Sequence, residues 1–260
     1  MIFIKTLLVT LIINSCGFMN SIYFISVGFG FSVAGVGLFL IIRGNIALEE
    51  IIIGLLYMIH GSRLAIYVGM REKNANYQKK LSEETKNKKS IKLSIKIILW
   101  IYCSFLYACL TSPLTFRVLS DNKGDHLKYI GIIITLFGFI LEAKADSEKS
   151  AAKKINPDKF VDSGLYNFVR CPNYLGELLF WTGNYIFGFK IYNGIFQWII
   201  AFFGYFLIIY ILLGGARKIE RRQNKSYGND PDYQKYVKST PILIPFIPLY
   251  SVQKYEWLKG

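Results

Sequence analysis

The chain has 260 residues, of which 53% are hydrophobic and 16% are aromatic, and its formal net charge is +14. This composition excludes an ordinary soluble domain, because several uncharged runs reach the roughly 20 residues that a transmembrane helix needs. The basic residues lie between the apolar runs, as the positive-inside rule describes for membrane proteins. The positive charge therefore predicts membrane topology, and we expect no nucleic acid as a partner.

The apolar runs predict an all-α fold, a polytopic membrane helical bundle of about seven transmembrane helices. In chain order the runs cover residues 1–19, 21–42, 51–70, 97–116, 129–141, 174–189 and 194–213. We interpret the first run as a transmembrane helix rather than a signal peptide, because a second apolar run resumes at Ile22. Glycines in the second run predict close helix packing, and Gly214-Gly215 is expected to end the seventh helix.

The distribution of charge predicts the orientation of the chain. Residues 71–96, 144–170 and 217–259 hold 24 of the 31 basic residues. These segments share one side of a seven-span topology, so we expect a cytoplasmic C-terminus and an N-terminus outside. A single integral-membrane domain is expected over residues 1–260. The abundance of Ile, Lys and Asn favours a bacterial inner membrane over the endoplasmic reticulum.

Three polar residues interrupt the third run. Tyr57, His60 and Arg63 are spaced to share one helix face. Arg63 lies about 10 Å of helix from the end of the run, which is far for a snorkelling side chain and favours a water-filled or ligand-filled interior. For His60, a buried structural role is at least as compatible with the sequence.

The fifth run continues beyond the apolar segment as a polar helix. Residues 142–154 are good helix formers, and Asn156-Pro157 should end the helix. Asp146, Lys149 and Lys153 fall on one stripe of this helix. The stripe suits a carboxylate that binds ribose beside lysines that bind phosphate, but it equally suits a solvated amphipathic helix with i, i+4 pairs.

A polar motif precedes the sixth run. Its polar and aromatic side chains are those of Tyr166, Arg170, Asn173, Tyr174 and Glu177. Charged groups at the start of a membrane segment indicate a functional site, whereas a proline at a helix start followed by polar residues is also typical of helix capping. No metal site is expected, because the four cysteines form no CxxC pair and the chain has two histidines.

Residues 164–181, GLYNFVRCPNYLGELLFW, resemble the G-L-(W/Y)-x-x-x-R-x-P-N-Y-x-G-E signature of the steroid 5-alpha-reductase superfamily. Three further segments resemble that superfamily in order: His60–Ala65 with Arg71 and Tyr77, Glu142–Lys149, and residues 233–245. The resemblance is strongest to the bacterial membrane-protein branch of the superfamily.

The resemblance implies seven spans and an NADPH-dependent reduction of a carbon–carbon double bond conjugated to a carbonyl, in a steroid-like or other lipid. It places the substrate-side helices in residues 1–117 and the cofactor-binding region in residues 129–260. The cofactor-binding residues that it implies are Arg63, Arg71, Asp146, Lys149, Lys153, Tyr166, Arg170, Asn173, Tyr174, Glu177, Arg221 and Tyr227. Among these, Asn173 and Glu177 hold the nicotinamide and ribose end.

The catalytic residues depart from the pattern of the superfamily. His60 stands where the steroid reductases carry a tyrosine, and the second run offers no acid. We therefore hypothesise that His60 or Tyr57 donates a hydrogen bond to the enolate oxygen. Two alternatives stay open: an S-adenosylmethionine-dependent methyltransferase similar to the isoprenylcysteine carboxyl methyltransferases, and a non-catalytic lipid-binding membrane protein. The expected partners are a hydrophobic small molecule, lipid-like or sterol-like, and membrane lipids.

Overall fold

A computed structural model describes residues 2–73, 91–120 and 125–258, apart from the side chains of residues 71–73. Every regular element in these ranges is a helix, which confirms the predicted all-α class for this part of the chain. The α-helices are α1 (Ile2–Asn14), α2 (Val27–Ile42), α3 (Leu48–Lys73), α4 (Leu93–Leu110), α5 (Ser112–Arg117), α6 (Leu127–Ile155), α7 (Pro172–Gly188), α8 (Gly194–Tyr227) and α9 (Pro231–Ser239). Short 3-10 helices cover Ser15–Phe18, Ser21–Phe24 and Gly164–Asn167.

Within the described ranges, four helical segments are long and apolar enough to cross a membrane, which indicates an integral membrane protein. They are Ser21–Ile42, Leu48–Met70, Leu93–Leu110 and Gly194–Tyr227. Ile2–Phe18 is a shorter apolar helix. The count of seven spans and the orientation of the termini stay predictions.

The chain forms two compact units. Unit 1 comprises Met1–Ile132 and Asn184–Gly204, and unit 2 comprises Ile133–Gly183 and Tyr205–Gly260. The expectation of a single membrane domain stays a prediction.

Glycines bring α2 and α3 together in unit 1. A Cβ atom at Gly30 would lie 2.4 Å from the carbonyl oxygen of Gly61, and one at Gly37 would lie 2.5 Å from that of Gly54. Small residues at such crossings let helix backbones approach closely. The glycines of the second run therefore serve helix packing, as the sequence predicts.

A similar close approach joins α6 and α7 in unit 2. A Cβ atom at Gly176 would lie 2.5 Å from the backbone nitrogen of Glu142, and one at Gly138 would lie 2.4 Å from that of Phe180. The crossing therefore fixes the polar start of α7 against the part of α6 that carries Glu142.

The prediction for the end of α8 is wrong. The helix continues through Gly214-Gly215 to Tyr227, because Gly215 provides space for a neighbouring ring: its Cβ would lie 2.9 Å from atoms of Tyr174. By contrast, α6 ends at Ile155, directly before Asn156-Pro157, as predicted.

Candidate functional site

The polar end of α6 carries a concentration of positive charge in unit 2. Lys149 is partly buried, and burial lowers its pKa, with the charges of Arg222 and Lys153 acting in the same direction. Cys171 and the carboxylate of Asp146 act in the opposite direction. Lys149, Lys153 and Arg222 therefore lie close enough to interact electrostatically, with Asp146 as the acidic residue that acts on Lys149. This combination of charges is suited to an anionic ligand.

Lys153 and Tyr227, which the sequence assigns to one site, lie together. The Lys153 ammonium donates to the Tyr227 hydroxyl at 3.2 Å and to the carbonyl oxygens of Pro157 and Lys159 at 2.9 and 2.5 Å. Its nitrogen also lies 5.6 Å from the centre of the Tyr227 ring. Because these acceptors match the three donors of an ammonium group, they hold the charge of Lys153 beside the segment that follows α6.

Arg170 forms a buried ion pair with a residue outside the predicted set. Its Nη2 atom donates to Oε1 of Glu220 at 3.0 Å and also to the carbonyl oxygen of Tyr250. Oε2 of Glu220 accepts from the backbone N–H of Val252 at 2.9 Å. The pair therefore ties the start of α7 to α8 and to the C-terminal segment. Nε and Nη1 of Arg170 have no hydrogen-bond partner within the described ranges.

The backbone around Arg170 is fixed by the same C-terminal segment. The N–H groups of Arg170 and Cys171 donate to the carbonyl oxygens of Pro241 and Ile242, both at 2.9 Å. Burial raises the pKa of the Cys171 thiol to about 11, against the opposing charges of Arg170 and Lys149. Cys171 is therefore a neutral, packed thiol at physiological pH.

Asn173 and Glu177 lie on the first turns of α7, on either side of Gly176 in sequence. Gly176 contacts the backbone of Glu142, and Asp146 follows one turn later on α6. The helix crossing thus brings the residues assigned to the nicotinamide and ribose end to the same pair of helices as the stripe on α6. Tyr174, also on α7, packs against the α8 backbone.

Tyr166 is buried between neighbouring elements of unit 2. Its hydroxyl donates to the carbonyl oxygen of Ala145 at 3.3 Å, and its own carbonyl accepts from the Tyr236 hydroxyl at 2.6 Å. Burial raises the pKa of Tyr236, and it raises that of Tyr233 to about 12. The phenol groups of Tyr233 and Tyr236 are therefore neutral, and the Tyr236 hydroxyl holds the backbone of Tyr166 in place.

The remaining predicted residues are dispersed. Arg221 is exposed on α8. The side chain of Arg71, and Tyr77 as a whole, lie outside the described residues. Arg63, His60 and Tyr57 belong to unit 1.

In unit 1, Tyr57 and His60 are fully buried on α3 and Arg63 is partly buried one turn further along. The Tyr57 hydroxyl donates to Oδ1 of Asn184 at 2.5 Å, and Nδ2 of Asn184 donates to the carbonyl oxygen of Leu110 at 3.0 Å. The Tyr57 hydroxyl thus donates to an amide, whereas the resemblance to the superfamily implies a carboxylate beside the tyrosine.

Sequence reasoning missed two partners, Glu220 and Asn184. Glu220 is the single acid in the basic segment 216–229, and Asn184 is an amide within the apolar run that α7 contains. A lone group of this kind signals a specific buried partner, since buried polar groups are hydrogen-bonded as a rule.

The fold and the site define an α-helical integral membrane protein whose second unit collects basic and aromatic side chains around α6. The chain belongs to the family described as "Protein of unknown function (DUF1295)", which matches residues 12–240. An uncharacterized protein of Schizosaccharomyces pombe is 26% identical over 170 residues, and the match covers 53% of this chain and 48% of that relative. The chain therefore spans about half the length of this curated relative. No solved structure matches the chain significantly.

Proposed function

We propose that the protein is an NADPH-dependent membrane reductase that acts on a conjugated carbon–carbon double bond in a steroid-like or other lipid. The observation that carries the proposal is the group of basic side chains at the polar end of α6, where Lys149 and Lys153 lie on one helix and Lys153 contacts Tyr227. The resemblance of residues 164–181 to the steroid 5-alpha-reductase signature supplies the reaction class. With seven spans this cluster faces the cytoplasm, where NADPH is available, and the membrane we propose is the bacterial inner membrane.

The side chains of unit 2 fit the chemistry of NADPH. Its phosphate groups are anionic acceptors, for which lysine and arginine are the usual partners. S-adenosylmethionine carries no phosphate and has a positive sulfonium, so Lys149, Lys153 and Arg222 would repel it. The same cluster thus favours the reductase over the methyltransferase.

The proposed roles follow from the chemistry of each side chain. Lys149 would hold a phosphate group, Lys153 would contribute its positive charge beside it, and Asp146 would accept hydrogen bonds from ribose hydroxyls. Asn173 and Glu177 would hold the nicotinamide and its ribose, as the resemblance implies. NADPH, when bound, supplies the hydride, and the protein supplies position and electrostatics.

Tyr57 and His60 in unit 1 remain the proposed donors to the substrate oxygen, because a developing enolate is stabilised by a hydrogen-bond donor. The Tyr57 hydroxyl donates to Asn184, so it must leave that acceptor before it can donate to a substrate. This hydrogen bond favours a second candidate function, a non-catalytic lipid-binding protein that retains the cofactor-binding side chains of unit 2.

The test measures NADPH binding to the purified full-length protein in detergent, with the variants Lys149→Ala and Lys144→Ala. Both changes remove one positive charge from α6, but the Lys144 side chain is largely exposed and lies at 4.0 Å from Glu148. We expect Lys149→Ala to weaken binding about ten- to hundredfold, the range for one charged hydrogen bond, and Lys144→Ala to bind as the wild type does.

Equal binding by the two variants would remove the basis of the proposal. NADPH binding without turnover across a panel of enones would select the non-catalytic candidate.

A further inference from the structure

A polar cavity lies in unit 1, where α2 leads into α3 and α5 leads towards α6. Its volume is about 370 Å³. It is lined by Asn45, Ile46, Ala47, Glu49, Glu50, Arg117, Val118, Ser120, Lys128 and Tyr129. None of these residues belongs to the proposed cofactor site, and the sequence predicts that these connections lie on the opposite side of the membrane.

The basic residues of the cavity are already paired with acids. Nη2 of Arg117 lies 2.6 Å from Oδ2 of Asp125, and its Nε donates to the carbonyl oxygen of Phe187 at 2.7 Å. Nζ of Lys128 lies 2.7 Å from Oε1 of Glu49. Each positive charge therefore has a carboxylate of its own.

Glu50 is a further acid, in addition to Glu49 and Asp125 of the two ion pairs. It is 9% exposed, it lines the cavity, and its buried Oε2 atom has no hydrogen-bond partner among the residues that the structure describes. With the two ion pairs neutral, these described side chains carry one excess negative charge. The first turn of α3 favours a carboxylate through the helix dipole, but a buried carboxylate oxygen also requires a donor.

The surroundings indicate what kind of cation would supply that donor. Over the described ranges, no group of three or more His, Cys, Asp and Glu residues could hold a metal ion, and the cavity is much larger than a single ion. Exposed apolar side chains flank the lining residues in sequence: Ile42, Leu48, Leu119 and Ile130. Because exposed apolar residues adjoin the lining residues in the chain, the cavity suits a polar headgroup whose acyl chains lie in lipid.

We propose that this cavity binds a primary ammonium group, with the Glu50 carboxylate as its acceptor. An aminophospholipid headgroup such as that of phosphatidylethanolamine is one source, and a free small amine is the other. A primary ammonium offers three donors and a positive charge, which would provide a hydrogen bond to the unpartnered oxygen of Glu50 and neutralise the excess charge.

The test uses the full-length protein in nanodiscs of phosphatidylglycerol, with phosphatidylethanolamine, N-acyl phosphatidylethanolamine or ethanolamine added as probe. Lipid retained by the protein is counted by native mass spectrometry, and ethanolamine binding is measured by calorimetry. The variants are Glu50→Gln and the control Glu256→Gln, the same change at an exposed carboxylate.

We expect phosphatidylethanolamine to be retained in preference to its N-acyl form, which has lost the charged amine. Glu50→Gln should weaken this binding about ten- to hundredfold, and Glu256→Gln should leave it unchanged. Ethanolamine binding that depends on Glu50 in the same way would support the site with a free amine as its source.

Equal retention of the two lipids by the wild type, with no ethanolamine binding, would overturn the proposal without any variant. Amine binding that Glu50→Gln leaves intact would overturn it as well. NADPH binding does not enter this test, so the two proposals fail independently.

Discussion

The buried pair of Arg170 and Glu220 gives the sharpest prediction for stability. Glu220→Gln keeps an acceptor for the N–H of Val252 but leaves the Arg170 guanidinium as an uncompensated charge in a buried environment. Loss of one partner of a buried pair costs about 3–5 kcal/mol. Because glutamine retains one hydrogen bond, we expect about 3 kcal/mol, which corresponds to a Tm lower by about 6–12 °C in a chain of this size.

The assay is thermal unfolding of the purified protein in detergent, followed by the fluorescence of a thiol-reactive or hydrophobic dye. Glu256→Gln controls for the loss of a carboxylate at an exposed site. The double variant Arg170→Gln/Glu220→Gln removes both charges and should be more stable than Glu220→Gln alone. A Tm for Glu220→Gln equal to that of the control, or a double variant less stable than the single one, would refute the reasoning.

Three further changes are expected to act through different physical causes. Gly176→Ala places a Cβ atom 2.5 Å from a backbone nitrogen of α6 and should lower the Tm, whereas Gly69→Ala, in open space on a helix, should raise stability by about 0.5–1 kcal/mol. A Gly176→Ala variant more stable than Gly69→Ala would contradict the packing described for α6 and α7. Tyr57→Phe leaves the buried Asn184 amide without its donor and should cost about 1–3 kcal/mol in thermal unfolding, and no loss would mean that this hydrogen bond is not formed. Burial raises the pKa of Cys171 to about 11 in the folded state, whereas the unfolded chain releases this proton from about pH 8.5 upward, so the free energy of unfolding should fall between about pH 9 and pH 11. Cys171→Ala should reduce that fall, and an equal fall in the variant would contradict the raised pKa of Cys171.

The sequence correctly predicts the all-helical class, and it correctly predicts a helix end where the residues at that end determine it. Asn156-Pro157 ends α6 as predicted, because proline restricts the residue before it. The predicted helix end at Gly214-Gly215 is wrong, because Gly215 provides space for the ring of Tyr174, a residue that is distant in sequence. Local propensity contains no information about such a contact.

For the candidate site, the sequence predicts which residues share one face of a helix, and the site itself stays a prediction. The stripe of Asp146, Lys149 and Lys153 follows from helical periodicity, and the structure adds that Tyr227 contacts Lys153. The partner of Arg170 lies 50 residues further along the chain, so no local pattern identifies it. Long-range ion pairs of this kind depend on the packing of whole helices.

The central claim is that unit 2 binds NADPH, and direct binding of the cofactor tests it. Calorimetry on the purified full-length protein would compare NADPH with S-adenosylmethionine, for the wild type and for Asn173→Ala/Glu177→Ala. We predict that the wild type binds NADPH and not S-adenosylmethionine, and that the double variant loses the binding of NADPH. Binding of S-adenosylmethionine by a wild-type protein that does not bind NADPH would contradict the claim.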